Sequence, residues 1–161
     1  ISPIAAKISE SSHRLMDSMS DIVWAINPDQ DELNDVIQRM RAVSAELTEA
    51  AGIDLEFVAE KVPLHTKMDM ESRRNFYLIF REALNNAIKY AQAKKISIRI
   101  VSEGDRYVLE IADNGKGFDI TQHKRGNGLL NMQKRAGFLK GELRIVSNTG
   151  QGTSIQLKFK A

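Results

Sequence analysis

The sequence predicts an α+β domain, a two-layer sandwich with a mostly antiparallel sheet and helices on one face, preceded by a long N-terminal helix. Three observations carry that expectation. Apolar residues recur at helical spacing through the first fifty positions and again over 69–91. Short runs with strand character, several of them strictly alternating, follow each helical stretch. Gly, Asn and Asp gather between these runs, where turns need them.

The elements follow in order. Ile4, Ile8, Leu15, Met19, Ile22, Val23 and Ile26 form one apolar stripe of a first helix, which Asn27-Pro28-Asp29 breaks because the residue before a proline is pushed out of helical geometry. Leu33, Val36, Ile37, Met40, Val43 and Leu47 share a face of a second helix, with Ala51-Gly52 as its stop. Ile53, Leu55 and Phe57 alternate with acids as a half-buried strand, and Pro63 lies in the loop beyond. Residues 69–91 give the strongest helix, with Phe76, Ile79, Phe80, Ala83, Leu84, Ala87, Ile88 and Ala91 on its core face. The runs 96–100 and 107–111 flank Glu103-Gly104-Asp105 as a hairpin. A glycine-rich loop over 113–128, a short helix to about Leu139, and strands over 142–147 and 153–159 complete the chain.

Composition bounds the function. The chain of 161 residues holds one domain plus an extension. A formal charge of +2 is too small and too dispersed for a nucleic-acid surface, so no nucleic-acid partner is expected. There is no cysteine, which excludes disulfides and thiolate metal sites and suits a reducing cytoplasm. No stretch reaches the roughly 18 apolar residues of a membrane span, so no direct membrane contact is expected. The first residue is Ile1 rather than Met, and the chain is read as a piece of a longer protein whose membrane anchoring stays open.

The chemistry lies in four motifs. On the strongest helix Glu82 and Asn86 are four apart, with Lys89 and Tyr90 one turn further, a polar stripe beside the apolar face. A nucleotide-bound magnesium ion takes oxygen ligands, usually with only one or two from protein. The Asn86 amide suits that ion, Glu82 can hold a metal-bound or attacking water, and Lys89 can meet phosphate. A solvated helix face is the plainer alternative. Asp113 ends a strand where its carboxylate can accept from an exocyclic amine, and Gly115 and Gly117 let backbone approach a flat base or simply form a turn. Gly126-Asn127-Gly128-Leu129 opens a helix whose N-terminus favours anions, without the spacing of a Walker loop or a dinucleotide fingerprint. Thr153 follows Gly150-Gln151-Gly152, where its hydroxyl can assist Asp113 through a water or serve only as a strand residue.

In this order and spacing the motifs resemble those of the GHKL (HATPase_c) ATPase superfamily, and within it the catalytic ATP-binding domain of sensor histidine kinases. Arg81 to Ala91 resembles the N-box, Asp113 to Phe118 the G1 box and Gly126 to Leu129 the G2 box. Asn131-Met132, Arg135-Ala136 and Gly150 to Thr153 complete the pattern. Glutamate at 82 resembles the HisKA_3-like branch, and Met19 to Pro28 the end of a second dimerisation helix. The resemblance implies the Bergerat fold and a cofactor pair of ATP and Mg2+. It implies Asn86 as the magnesium ligand, Asp113 as the adenine reader, Gly115 and Gly117 at the base, and Tyr90 near base or ribose. Gly126, Gly128 and Leu129 would belong to a lid over the phosphates, with Lys124 and Arg125 in reach. Glu82 would activate water, order the metal shell or orient an acceptor imidazole.

The family's acceptor is a histidine followed by an acid. His13 is followed by Arg14, and His65 and His123 read as loop residues, so the acceptor is expected upstream of this chain. The expected division is 1–28 as the C-terminal helix of a dimerisation domain and 29–161 as the catalytic domain. The resemblance implies a homodimer through the N-terminal helix in the parent protein and a response regulator as downstream partner. Other readings are a hydrolysing ATPase, a serine-directed anti-sigma kinase, or a non-catalytic dimerising nucleotide sensor.

Overall fold

A computed structural model describes residues 2–121 and 127–161. Helix α1 (Pro3–Ile26) is followed by a single 3-10 turn (Pro28–Gln30) and α2 (Leu33–Ala51). Strand β1 (Asp54–Glu60), helix α3 (Met70–Lys89), strands β2 (Lys95–Glu103) and β3 (Arg106–Asp113), helix α4 (Gly128–Phe138) and strands β4 (Glu142–Ser147) and β5 (Thr153–Phe159) complete the order.

The starts and stops have local causes. Ser2 accepts from the Ala5 N–H to cap α1, and Asp69 accepts from the Ser72 N–H to cap α3. Gly52, at φ 69°, ends α2 in the left-handed region. Asn27 closes α1 through its N–H to the Trp24 carbonyl, and its side chain caps the proline turn that follows.

The sheet runs β1-β2-β3-β5-β4. Three of its four pairings are antiparallel, and β1 pairs with β2 in parallel, from Asp54↔Lys95 to Glu60↔Val101. This parallel edge and the passage of β5 between β3 and β4 add detail to the expected sandwich. Ile96, Ile98 and Ile100 of β2, Leu109 and Ile111 of β3 and Ile155 and Leu157 of β5 face one side. There they meet Phe76, Ile79, Phe80, Ala83 and Leu84 of α3, the α2 face from Leu33 to Val43, and Met132 and Ala136 of α4.

Helix α1 behaves differently at its two ends. Ile4, Ile8, Leu15, Met19 and Val23 are exposed, so its apolar stripe points away from the domain. Near its C-terminus Asp21 is buried, and Trp24 packs against Tyr77 of α3 with the rings tilted and their centres 5.2 Å apart. No described helix is long and apolar enough to cross a membrane.

Candidate functional site

A cavity of about 580 Å³ opens between α3, the end of β3, the start of α4 and β5, within the usual size for a small-molecule site. Helix α3 supplies two adjacent rows at the four-residue repeat that stacks side chains on a helix. Ala83, Ala87 and Ala91 form an apolar floor with Ile111 and Ile155, and Glu82, Asn86 and Tyr90 form a polar row beside it. Small side chains on the floor leave height for a flat ring, and the polar row leaves oxygens at its edge. Among the described residues the side chains of Glu82 and Asn86 have no hydrogen-bond partner, so their oxygens are available to a ligand.

Asp113 stands at the far end, half-buried, where β3 pairs with β5 at Asp113↔Thr153. One carboxylate oxygen accepts from the Gly115 N–H at 2.9 Å. Burial pushes its pKa up, against the opposing pull of the Gly115 and Thr153 N–H groups. With no cation among these causes, Asp113 is a desolvated acceptor fixed by backbone donors.

The loop after β3 is held by its neighbours. The Asn114 side chain accepts from the Lys94 and Lys95 N–H groups, each at 2.9 Å. The Lys116 N–H donates to the Ala91 carbonyl at 2.7 Å, and its carbonyl accepts from Gly150. Gly115 does not line the cavity; it is buried, and a Cβ there would collide with the Ala91 carbonyl. What the glycine admits at 115 is therefore the end of α3, and the sequence expectation that it admits a base is corrected. Gly115→Ala is expected to cost about 1–3 kcal/mol and to weaken nucleotide binding along with stability, measurable by urea unfolding and by titration with ATP.

Thr153 lines the cavity, but its hydroxyl meets the Ser147 hydroxyl at 2.8 Å. Ser147 in turn accepts from the Phe118 N–H at 2.9 Å, fixing a residue of the wall. Ser147 gave no sequence signal, being one polar residue at a strand end.

Lys89 also departs from expectation. It does not line the cavity and lies on the side of α3 near Arg14 and Glu10 of α1. Partial shielding of its ammonium, with Arg14 and Arg81 nearby, lowers its pKa against the opposing effect of Glu10 and Glu82. At 100° per residue it falls on the far flank of Glu82 from Ala83, which turns it away from the floor. The cation that does line the described cavity is Lys116, which the sequence reading left without a role. Gly117, Gly128 and Leu129 line it too. Gly126, Lys124, Arg125 and His123 lie outside the described residues.

An apolar floor for a ring, a fixed carboxylate at one end and, at the other, a helix N-terminus beside the Glu82 and Asn86 oxygens define a nucleotide-binding α+β domain. The chain belongs to the family described as histidine kinase-, DNA gyrase B-, and HSP90-like ATPases, whose model matches residues 71–161. It is 30% identical over 152 residues to the sensor histidine kinase ComP of Bacillus subtilis (strain 168), covering 81% of this chain and 20% of that protein. It is 41% identical over 98 residues to the sensor histidine kinase YdfH of the same organism, covering 58% of this chain and 24% of that one. The chain thus spans about a quarter or less of the length of these relatives. The solved histidine kinase AdeS of Acinetobacter baumannii superposes with a TM-score of 0.68 at 17% identity, over 99% of this chain and 85% of that structure, and shows the same fold.

Proposed function

We propose that this chain is the ATP-binding catalytic domain of a two-component sensor histidine kinase, holding Mg-ATP so that the γ-phosphoryl passes to a histidine and then to a response regulator. The observation that carries the reading is the pairing of Asn86 and Glu82, without protein partners among the described residues, with Asp113 at the opposite end of one apolar-floored cavity. The names of the relatives and the family match support it.

In this reading the adenine lies over Ala87 and Ala91, its amine donating to Asp113, with Tyr90 at the open edge. The phosphates extend toward the N-terminus of α4, where Asn127, Gly128 and Leu129 present backbone to anions. Lys116 replaces Lys89 as the described cation at the cavity. The residues fit a magnesium ion: the Asn86 amide oxygen is a hard ligand, and Glu82 beside it can hold a metal-bound water. Among the described residues no group of three His, Asp or Glu could hold a metal alone. When bound, the ion supplies charge neutralisation at the phosphates. What the chain supplies is position: α3 fixes both rows, and Asp113 sets how deep the base sits.

No histidine lines the described cavity. His13 lies on α1 with Nδ1 donating to the Ser9 carbonyl, and His65 pairs with Glu32. In this reading the acceptor lies on a dimerisation hairpin presented from outside the cavity, with the exposed stripe of α1 as the parent's dimer contact.

Asn86→Ala tests this. Phosphoryl transfer from labelled ATP to a separately supplied acceptor hairpin of the parent protein is expected to fall at least about 100-fold, the scale of a few kcal/mol of metal-borne stabilisation. Signalling that persists without transfer would favour a non-catalytic sensor. Label on a partner's serine would favour a serine-directed kinase.

A further inference from the structure

The end of α1 carries a cluster that the nucleotide site does not use. Asp21 is 5% exposed. One carboxylate oxygen accepts from the Tyr77 hydroxyl of α3 at 2.9 Å and from Arg39 of α2 at 3.4 Å. The other accepts from Nε of Arg81 of α3 at 2.9 Å. One residue of α1 is thus gripped by three side chains on two helices of the ATP-binding unit. Around it, Trp24 packs against Tyr77 with ring centres 5.2 Å apart, and the Arg39 guanidinium lies over the Trp24 ring at 5.8 Å. Three residues beyond Trp24, the Asn27 carbonyl accepts from Arg73 of α3, itself 2% exposed, at 3.1 Å.

A carboxylate taken this far out of water is tolerated only while its charged partners stay in place. The last turn and a half of α1 is consequently tied to both α2 and α3. The residues before it differ: from Ser2 to Met16 every residue is exposed. The change occurs within the helix, and no loop marks it.

We infer that Asp21 is the clamp that makes the C-terminal end of α1 part of the nucleotide-binding unit, so that bending between that unit and the rest of α1 occurs N-terminal to Asp21 and not at Asn27-Pro28. The boundary placed at Pro28 from the sequence moves into the helix. A second consequence concerns the site. Arg81 is held by Asp21 on one side and donates to Asn85 at 3.3 Å on the other, and it directly precedes Glu82. A twist of α1 that pulls on Asp21 therefore pulls on the turn of α3 that carries Glu82 and Asn86. Asp21 is in this sense a positioning residue, acting through Arg81. The inference concerns the packing of α1 and stands whether or not the chain transfers phosphate.

The absence of cysteine makes the test direct, since introduced pairs are the sole thiols. Two spin-label pairs are placed on the 161-residue chain, diluted with unlabelled chain so that each distance is intramolecular. Val23→Cys with Glu49→Cys spans the clamped end of α1 and the exposed side of α2. Ser12→Cys with Glu49→Cys spans the exposed part of α1. The 23–49 distance is expected to be single and narrow and the 12–49 distance broader. Asp21→Asn is expected to broaden the 23–49 distribution to resemble the 12–49 one. Tyr77→Phe, which keeps the ring and removes one donor, gives a smaller broadening and serves where Asp21→Asn does not fold. A 23–49 distance already broad with the cluster intact, or one left narrow by both variants, would overturn the inference. The kinase reading is tested separately by transfer from ATP, so failure of one is distinguishable from failure of the other.

Discussion

Asp113→Asn is expected to leave the fold intact, with an unchanged or slightly higher melting temperature, while affinity for ATP falls about 10- to 100-fold. The Asp113 carboxylate is half-buried, its pKa is pushed up by that burial, and only the Gly115 and Thr153 N–H groups offset the loss of water. An asparagine keeps an oxygen for those two donors and removes the desolvated charge. What it loses is the strong acceptor for the adenine amine in the proposed complex. The sign of the pH effect follows from the raised pKa. The folded protein binds this proton more tightly than the unfolded chain, so the associated stability is present below the ordinary carboxylate value of 3.8 and is lost as pH rises through the raised folded value. The asparagine variant should lack that loss. Melting without ligand at several pH values and calorimetric titration with ATP check both halves, and unchanged ATP affinity would remove Asp113 from base recognition.

Asp21→Ala is expected to cost about 3–5 kcal/mol of stability, the usual penalty for removing one partner from a buried charged group. Arg81 and Arg39 would keep their charges without a counter-charge, and the Tyr77 hydroxyl would lose its acceptor. Burial, followed by the charge of Asp21, already holds the Tyr77 pKa above its ordinary value. Trp24 is the chain's single tryptophan and lies against Tyr77, so its fluorescence reports this junction directly. In urea the Trp24 transition of the variant is expected at lower denaturant than that of the native chain. If the clamp opens before the domain unfolds, it will also separate from the far-ultraviolet helix signal. Coincident, unshifted transitions would show that the carboxylate contributes little.

The sequence made the elements legible because each carries its own period or punctuation. The stripe from Leu33 to Leu47 with Gly52 behind it specifies α2 to its last residue. Gly104 and Asp105 between two alternating runs specify the hairpin, which pairs Glu103 with Arg106. Most of the proposed site was legible for the same reason, since Glu82, Asn86 and Tyr90 share a four-residue repeat and Asp113 ends a strand. What was not legible depends on pairings between distant segments. Lys89 has the spacing of a site residue, and only the packing of α1 beside it shows where its ammonium lies. Gly115 carries the same motif whether it faces a base or the Ala91 carbonyl. Asp21 is one acid in a helix, and its partners Tyr77 and Arg81 are 56 and 60 positions away. No periodicity reaches that far.

The parallel edge of the sheet has a consequence for the order in which the molecule acquires its properties. Strands β2 and β3 meet across a two-residue turn, whereas β1 reaches β2 only after the connection carrying α3 has folded back. Contacts that close short loops form at less entropic cost than those that close long ones. Folding is therefore expected to begin with the β2–β3 hairpin and α3 and to add α2 and β1 late, with hydrogen exchange fastest at that edge. The described residues lining the cavity fall on both sides of this sequence of events: those of α3 and β3 come early, while Thr153 and Ile155 of β5 join β3 across a loop about as long as the one that brings β1 to β2. The chain would gain the helical floor of the nucleotide site first, and the strand that closes it and the mechanical connection to the N-terminal helix later.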